Sequence, residues 1–580
     1  MTAFLGVEAS LTGRRWTGPG AEVDRQAERV AQTAGLALPL ARVLAARGVA
    51  PEEARRFLDP QLRDLLPDPH RLKDMEPAAA RFLAAVHGRE RIAVFADYDV
   101  DGGASAALLI IWLREMGLAA TLYIPDRIDE GYGPNPAAMA GLAKAHDLIL
   151  CVDCGTLSHE AIAAAAGTDV VVLDHHLGGE TLPPALAVVN PNRQDETGEL
   201  GHLCAAGVVF LILVEANRQM RAAGATGPDL MGLLDLVALA TVADVAPLIG
   251  VNRAFVRQGL KVMARRERIG LAALADVARM DQAPTAYHLG YLLGPRVNAG
   301  GRIGAADLGA RLLATADPHE AAALAERLDA LNTERREIEN RVREAALAQA
   351  EARGTEAPLV WAAAEGWHPG VVGIVAARLK EATNRPAVVI GLEGGIGKGS
   401  GRSVEGVDLG AAVQRLAAEG LLVKGGGHRM AAGLTVEEPL LAAAMARLSE
   451  LLDRQGAAAT GPRDLNVDAL LMPGAASRNL VEELEGAGPF GQSAPAPRFA
   501  FGSMAISGAR RVGESHLKIS FSDGAGPSID AIAFSAFDGP LGQRLVAHGG
   551  RRFHLAGRLE LNHWQGRARV QMKLDDAAEA

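Results

Sequence analysis

The chain has 580 residues, 59 of them Lys or Arg and 69 Asp or Glu, for a net charge of −10; at roughly 150 residues per domain, about four domains are expected. Apolar residues make up 49% and charged residues 22%, which excludes disorder over most of the chain, and no apolar run approaches the ~18 residues of a membrane span. Three cysteines exclude a disulfide framework and fit a reducing, cytoplasmic setting.

The opening stretch, Met1 to Trp16, lacks the basic, apolar and small-residue order of a secretory signal. Residues 1–85 are rich in Ala, Arg and Leu and read as helices broken by Pro51, Pro60, Pro67 and Pro69. From residue 91 the pattern changes. Short apolar runs at 92–95, 148–152, 170–173 and 187–189 alternate with helical stretches such as 104–116. That alternation predicts an α/β domain with a parallel sheet covered on both faces. Polar residues follow each run, so four segments would deliver their chemistry to the carboxyl edge, where such sheets bind ligands.

Residues 319–353 contain no Gly or Pro and keep helical apolar spacing among dense charge. A continuous helix there would span about 52 Å, enough to join two domains; a coiled-coil dimer is the alternative. After Pro358 the chain becomes Gly-rich and α/β again to about residue 455, and 457–463 reads as a linker. From about residue 499, His516, Lys518, Ser520 and Ser522 interleave with Leu517, Ile519 and Phe521, and Arg567, Arg569 and Gln571 with Ala568, Val570 and Met572. Such alternation predicts a small β-barrel. From Arg498 onward there are 11 Lys and Arg against 8 Asp and Glu, leaving the preceding chain at −13. An acidic body with a mildly basic tail is compatible with a polyanionic ligand.

Asp97, Asp99 and Asp101 stand at alternate positions straight after an apolar run. If strand geometry persists they share one side, and three crowded anions are costly without a cation. A solvated acidic turn is the plain alternative. An EF-hand is disfavoured because Leu108 stands where its glutamate belongs. Asp153 ends the second run and Asp174-His175-His176 the third, while Asp244 is a lone carboxylate in an apolar stretch, a group seldom buried unless paired or metal-bound. Carboxylates and imidazoles without thiolates favour Mn²⁺, then Mg²⁺, and two such ions suit an in-line phosphoryl displacement. Cys151 and Cys154 form a C-x-x-C, but without two further ligands it reads as small apolar residues at a strand end.

The ordered set Asp97-Tyr98-Asp99-Val100-Asp101-Gly102, Asp153-Cys154-Gly155, Asp174-His175-His176 and the Asp244 segment resembles the four motifs of the DHH phosphoesterase superfamily. The stretch Gly425-Gly426-Gly427-His428-Arg429-Met430-Ala431-Ala432-Gly433 is similar to the glycine-rich motif of its companion DHHA1 domain. The whole layout, over roughly residues 40–575, resembles the RecJ family of bacterial single-strand-specific 5′→3′ exonucleases.

That resemblance implies Asp97, Asp99, Asp101, Asp153, His175 and Asp244 as metal ligands and His176 as a substrate or transition-state contact. It further implies substrate-binding roles for Arg127 and Tyr132, for Arg296, Asn298 and Arg302 in Pro295-Arg296-Val297-Asn298-Ala299-Gly300-Gly301-Arg302, for Ser400 and Arg402 at a 5′ phosphate, and for Gly426, Gly427, His428 and Arg429. Arg402 would clamp the phosphate while Ser400 and glycine amides complete a nest. The implied division is a helical segment 1–85, a DHH catalytic domain 86–317, a connecting helix 318–356, a DHHA1 domain 357–456, and a linker with an OB-like barrel 457–580. In that barrel Arg510, Arg511, Lys518, Arg567 and Arg569 would track a strand, with Phe521 or Trp564 stacking on bases; a core Phe521 and a solvated basic face are the plain alternative. The implied partners are single-stranded DNA, single-strand-binding protein and a helicase, with no membrane. A phosphodiesterase for short oligonucleotides or cyclic dinucleotides and a non-catalytic DNA-binding scaffold are the other readings. The chain departs from the family at Ala494, where Asn is usual.

Overall fold

The structure, a computed structural model, describes residues 3–127, 130–457, 464–564 and 567–580. It divides into two compact units, one of residues 1–66, 247–257 and 462–580, the other of residues 67–246 and 258–461. Among the described residues, no helix is long and apolar enough to cross a membrane.

The larger unit opens on a five-stranded, all-parallel sheet. In chain order it comprises β1 (Ile92–Ala96), helix α1 (Val100–Glu115), β2 (Ala120–Tyr123), β3 (Leu148–Val152), β4 (Asp169–Leu173) and β5 (Ala187–Val189), with strand order β2-β1-β3-β4-β5. β1, β3 and β5 are buried throughout, which explains their unbroken apolar runs. Sequence reading found four of these strands and missed β2, an edge strand whose Ala-Thr-Leu-Tyr is half exposed and carries little apolar signal. From β1 the chain moves to β2 on one side and then to β3 on the other. The switch point therefore lies between β1 and β3, where the crevice for a ligand opens at the carboxyl ends.

Helices α2 (Ala205–Ala222), α3 (Leu234–Ala243) and α4 (Gly294–Ile303) follow, then α5 (Pro318–Arg353), 36 residues long. α5 starts with proline at its first position and Asp317 accepting from the amides of His319 and Glu320, the two devices that mark a helix start. Its apolar positions pack on its own chain. Leu328 and Leu331 lie against Gly300 and Gly304, and Val342, Ala346 and Ala350 join the core of the next sheet.

That sheet contains β6 (Val360–Glu365), helix α6 (Pro369–Thr383), β7 (Ala387–Glu393), β8 (Ile396–Arg402), β9 (Lys424–His428) and β10 (Ala431–Glu437), in the order β9-β10-β8-β7-β6. β8 alternates Gly397, Gly399 and Gly401 with Lys398, Ser400 and Arg402. A Cβ on Gly399 would stand 2.8 Å from Ile390, and one on Gly401 2.7 Å from Leu409. Only glycine fits under that apolar layer, so the long side chains fall on the other face. This corrects one expectation: the amides of β8 are used in ladders to β7 and β10 rather than forming a nest. Gly425, Gly426 and Gly427 lie in edge strand β9.

The smaller unit is built on a closed five-stranded barrel: β11 (Phe499–Val512), β12 (His516–Ser522), β13 (Ile529–Ala533), β14 (Arg552–Trp564) and β15 (Arg567–Glu579), in the order β11-β12-β13-β15-β14 with β14 returning to β11. Helices Ala21–Ala34 and Leu38–Ala46 share its core, Val30, Leu40 and Leu44 joining Phe499, Phe501 and Phe553. Trp16–Thr17 runs parallel to Leu465–Asn466, and the buried Trp16 indole donates to Asp576 at 3.0 Å. The segment before residue 67 therefore folds with the barrel. At the family departure the turn still closes, with Gly491 and Ala494 exchanging backbone hydrogen bonds of 2.9 and 3.1 Å.

Candidate metal and phosphate site

The acidic run leaves strand geometry at once. β1 ends at Ala96, and Asp99 becomes the N-cap of α1, its Oδ1 accepting from the amides of Asp101 and Gly102 at 2.8 and 3.1 Å. Asp97 and Asp101 are buried. The three carboxylates thus do not share one strand side. A strand-to-helix turn aims them, because the free amides at a helix start attract anions. Asp101 reaches across to a second helix, accepting from Ala205 and Ala206 at 2.7 and 2.8 Å at the start of α2. Asn298 accepts from the Val100 amide at 3.2 Å and braces the same turn.

Three overlapping sets of ligand atoms gather at this edge: Asp97, Asp99 and Asp153; Asp153, His175 and His176; Asp101, His175 and Asp244. Within each set one ligand atom per residue lies within 4.8 Å of the others. Asp153 and His175 each belong to two sets, as a bridged pair of ions requires. His175 Nε2 stands 3.2 Å from Asp153 Oδ1 and 3.7 Å from Asp101 Oδ2, and its Nδ1 3.9 Å from Asp244. Even so, Asp97 Oδ1, Asp153 Oδ1 and His175 Nε2 are buried without a hydrogen-bond partner. Orphaned buried acceptors of this kind are costly. Burial, then the neighbouring carboxylates, push Asp153 and Asp97 well above the usual carboxylate range, and Asp244 to about 9. The donor set fits divalent cations, which relieve both penalties. The three cysteines are buried with free thiols, and among the described residues none joins a ligand set.

Asp174, which motif reading did not place in the site, organises the histidines. Its Oδ1 accepts from the amides of His175 and His176 and from His176 Nδ1 at 2.8 Å, while its Oδ2 accepts from Thr156. Although burial opposes it, these bonds hold the Asp174 carboxyl far below its ordinary range. For His176, burial is outweighed by Asp174, and its pKa is raised to about 9. Asn190 donates to the His176 carbonyl and Asn192 to that of His175. Tyr132 donates to the Asp153 carbonyl at 3.1 Å and lies 3.2 Å from the His176 ring nitrogens.

Cations face this acidic centre from the loop after β2 (Arg127), from α4 (Arg302) and from β8 of the second sheet (Arg402). The Arg127 guanidinium lies 5.0 Å over the Tyr98 ring. Arg402 donates to Ser400 Oγ at 3.0 Å and to the Gly401 carbonyl, and Arg302 donates to the Gly370 carbonyl at the start of α6. Burial, then neighbouring positive charge, lowers two of them: Arg302 to about 10 beside Arg127 and Arg335, and Arg402 beside Arg127. His428 is likewise lowered by burial, then by Arg402 and His176. Among the described residues no carboxylate lies within ion-pair distance of Arg127, Arg302 or Arg402. Such a group calls for an anion. Gly427 has φ of 150° and no room for a Cβ, which would stand 2.3 Å from the Ala431 carbonyl. Gly426 is open above its backbone, and His428 and Arg429 are exposed at the turn that follows.

Arg296 is engaged elsewhere, donating to Asp329 of α5 and to the Leu292 carbonyl. In the barrel, Phe521 is fully buried against Phe501 and is core, not a stacking surface. Lys518 pairs with Asp530 at 2.9 Å, Arg511 stacks over Phe537, and Arg510 and Arg569 are exposed. The side chains of Trp564 and Arg567, residues 128 and 129, and most of the expected linker lie outside the described residues.

Residues 91–241 match the DHH family, N-terminal domain, residues 356–455 the DHHA1 domain, and residues 467–576 the RecJ OB domain. The chain is 38% identical to the single-stranded-DNA-specific exonuclease RecJ of Dickeya dadantii, over 92% of this chain and 95% of that protein. It is 36% identical to that of Escherichia coli, over 96% and 98%. The crystal structure of RecJ in complex with Mn²⁺ from Thermus thermophilus superposes with a TM-score of 0.80 at 31% identity, covering 97% of this chain and 79% of that one. A structure with Mg²⁺ from the same source gives 0.74. With its motifs in order, its ligands gathered at one switch point and its likeness spanning nearly the full length, the chain belongs to the RecJ family of DHH phosphoesterases.

Proposed function

We propose that the chain is a metal-dependent exonuclease that hydrolyses single-stranded DNA from the 5′ end and releases nucleotides, in DNA repair and recombination. The observation that carries the reading is the pairing of opposite deficits. Buried carboxylate and imidazole atoms without partners face guanidiniums that have no counter-ion among the described residues. Two divalent cations and a phosphodiester satisfy both at once.

In this reading Asp97, Asp99, Asp101, Asp153, His175 and Asp244 hold Mn²⁺, or Mg²⁺, which activates water and neutralises phosphoryl charge when bound. Asp174 fixes the His176 ring, and His176, with Nε2 beside Tyr132, donates to a non-bridging phosphate oxygen. Arg402 with Ser400 clamps the 5′ phosphate, Arg127 and Arg302 neutralise the next, and the flat face of Gly426 and Gly427 lets the backbone approach. Arg296 and Asn298 act through the elements they brace, α5 and the acidic turn.

The proposed division is a helical segment 1–85, a catalytic domain 86–317, a connecting helix 318–356, a DHHA1 domain 357–456 and a linker with an OB-like barrel 457–580. Limited proteolysis tests it. The buried, unpaired thiols support a cytoplasmic setting. The reading includes association with single-strand-binding protein and a helicase.

Single strands labelled at the 5′ or the 3′ end, with and without Mn²⁺, provide the test. The 5′ label is expected to appear first, in mononucleotides, and only with metal. Release of the 3′ label first would reverse the polarity. Preference for a dinucleotide over a long strand would favour a small-substrate phosphodiesterase, and metal-independent binding without cleavage a scaffold.

A further inference from the structure

The parallel sheet goes on pairing after two of its strands have ended. The ladder between β4 and β5 closes with Leu173 opposite Val189, and the Asp174 amide donates to the Val189 carbonyl at 3.1 Å. Past that point side-chain amides take the place of backbone, since the carbonyls of the histidine turn still need donors. Asn192 Nδ2 donates to the His175 carbonyl at 2.6 Å and Asn190 Nδ2 to the His176 carbonyl at 2.8 Å. The Gly178 amide returns a bond to the Asn192 carbonyl at 3.0 Å. The approach is close: a Cβ on Gly178 would stand 3.1 Å from Arg193 Cα, and one on Gly201 2.7 Å from Asn192 Oδ1.

Asn190 is fully buried and its amide is completely used. One Nδ2 hydrogen goes to the His176 carbonyl and the other to Thr156 Oγ1 at 2.8 Å. Its Oδ1 accepts from the Asn192 amide at 2.8 Å, a turn that brings Asn192 round to the neighbouring carbonyl. Turned over, the amide would set oxygen against the His176 carbonyl and nitrogen against an N–H, so one orientation alone satisfies it. Arg193 anchors the segment, donating to the Val188 carbonyl at 2.7 Å and to Asp74 at 2.8 Å.

A side chain takes its direction from the two rigid peptide planes that flank its Cα. The planes on either side of His175 are held by Asp174, which accepts from the His175 amide, and by Asn192. Those on either side of His176 are held by Asn192 and by Asn190. Asn192 therefore bears on both rings and Asn190 on one.

We propose that Asn190 and Asn192 are positioning residues of unequal reach: Asn190 aims His176 at the substrate phosphate, whereas Asn192 aims both His176 and the metal ligand His175. The inference rests on the nuclease reading and names the groups on which its two histidines depend.

The test uses variants of the full chain, with Mn²⁺ binding read by titration calorimetry and hydrolysis of a 5′-phosphorylated single strand read as kcat. Asn190→Ala is expected to lower kcat about 10–100-fold with the Mn²⁺ dissociation constant unchanged, and Asn192→Ala to lower kcat and weaken Mn²⁺ binding at least about tenfold. Truncating a buried amide strands its partners, so the melting temperature is read alongside, and Asn190→Ser, which keeps a hydroxyl there, is expected to show the same split. A role in folding alone is separated by a double-mutant cycle. In a His176→Ala background, Asn190→Ala is expected to lower single-turnover hydrolysis by less than about twofold, because the ring it aims is gone. An undiminished loss in that background, weakened Mn²⁺ binding in Asn190→Ala, or unchanged Mn²⁺ binding in Asn192→Ala would each overturn the proposal. Absence of hydrolysis by the unsubstituted chain would instead defeat the nuclease reading, while the Mn²⁺ contrast between the two asparagine variants still decides the reach of each.

Discussion

The two sheets of the larger unit present their chemistry in opposite ways. The parallel sheet delivers its groups from loops just past the strand ends, where helix starts offer free amides and hold carboxylates. The second sheet delivers its groups from within a strand, β8, whose amides are already paired and whose side chains are cationic or polar. The first region gathers unrelieved negative charge, and the second, through Arg402 of β8, unrelieved positive charge, each burying groups that water would otherwise stabilise. A site for a phosphodiester and its cations is two sites of opposite sign, each strained without the other's ligand.

The sharpest break of that comparison is Asp153→Asn. It is expected to abolish strand hydrolysis in Mn²⁺ while raising the melting temperature of the metal-free protein by roughly 2–4 °C, the shift for about 1 kcal/mol in a domain of this size, because a carboxyl that burial and its neighbours make costly to ionise is removed. Retained turnover would refute the ligand set. Arg402→Ala comes next. Charge-assisted hydrogen bonds are worth about 1.5–3 kcal/mol, so the preference for a 5′-phosphorylated end is expected to fall roughly 10–150-fold, read as kcat/KM on phosphorylated and hydroxyl-ended strands. Asp174→Asn sharpens the contrast between ligand and positioning groups: kcat is expected to fall about 10–100-fold with Mn²⁺ affinity, measured by calorimetry, nearly intact. Saturating a chelated sample with Mn²⁺ to about 100 times its dissociation constant is expected to stabilise it by about 2.7 kcal/mol, read as a denaturation midpoint. The smallest effect is expected in the barrel. Arg569→Ala should reduce the salt slope of single-strand binding by about 0.7 and leave dinucleotide hydrolysis unchanged.

What the sequence disclosed followed from locality. Asp244 stood out because a lone carboxylate in an apolar helix needs a partner, and the Asp97, Asp153 and His175 segments because each ends a buried strand. What stayed hidden depended on distant partners. The capping of α2 by Asp101 joins residues more than a hundred positions apart, and the organising role of Asp174 requires the loop around Thr156. Alternation alone cannot say which way a strand faces. Phe521 was therefore open to either reading until the barrel closed and enclosed it. The glycines of β8 and β9 concealed two strands, since a residue without a side chain sends no periodic signal.

The alternation in β8 has a further consequence. With glycines pressed against Ile390 and Leu409 and Ser400 and Arg402 on the opposite side, this stretch has a fixed parity. Gaining or losing one residue between 396 and 402 would drive a guanidinium into the oily layer and leave bare backbone on the face that now carries Ser400 and Arg402. A point change there disturbs one position; a change in length disturbs every position after it.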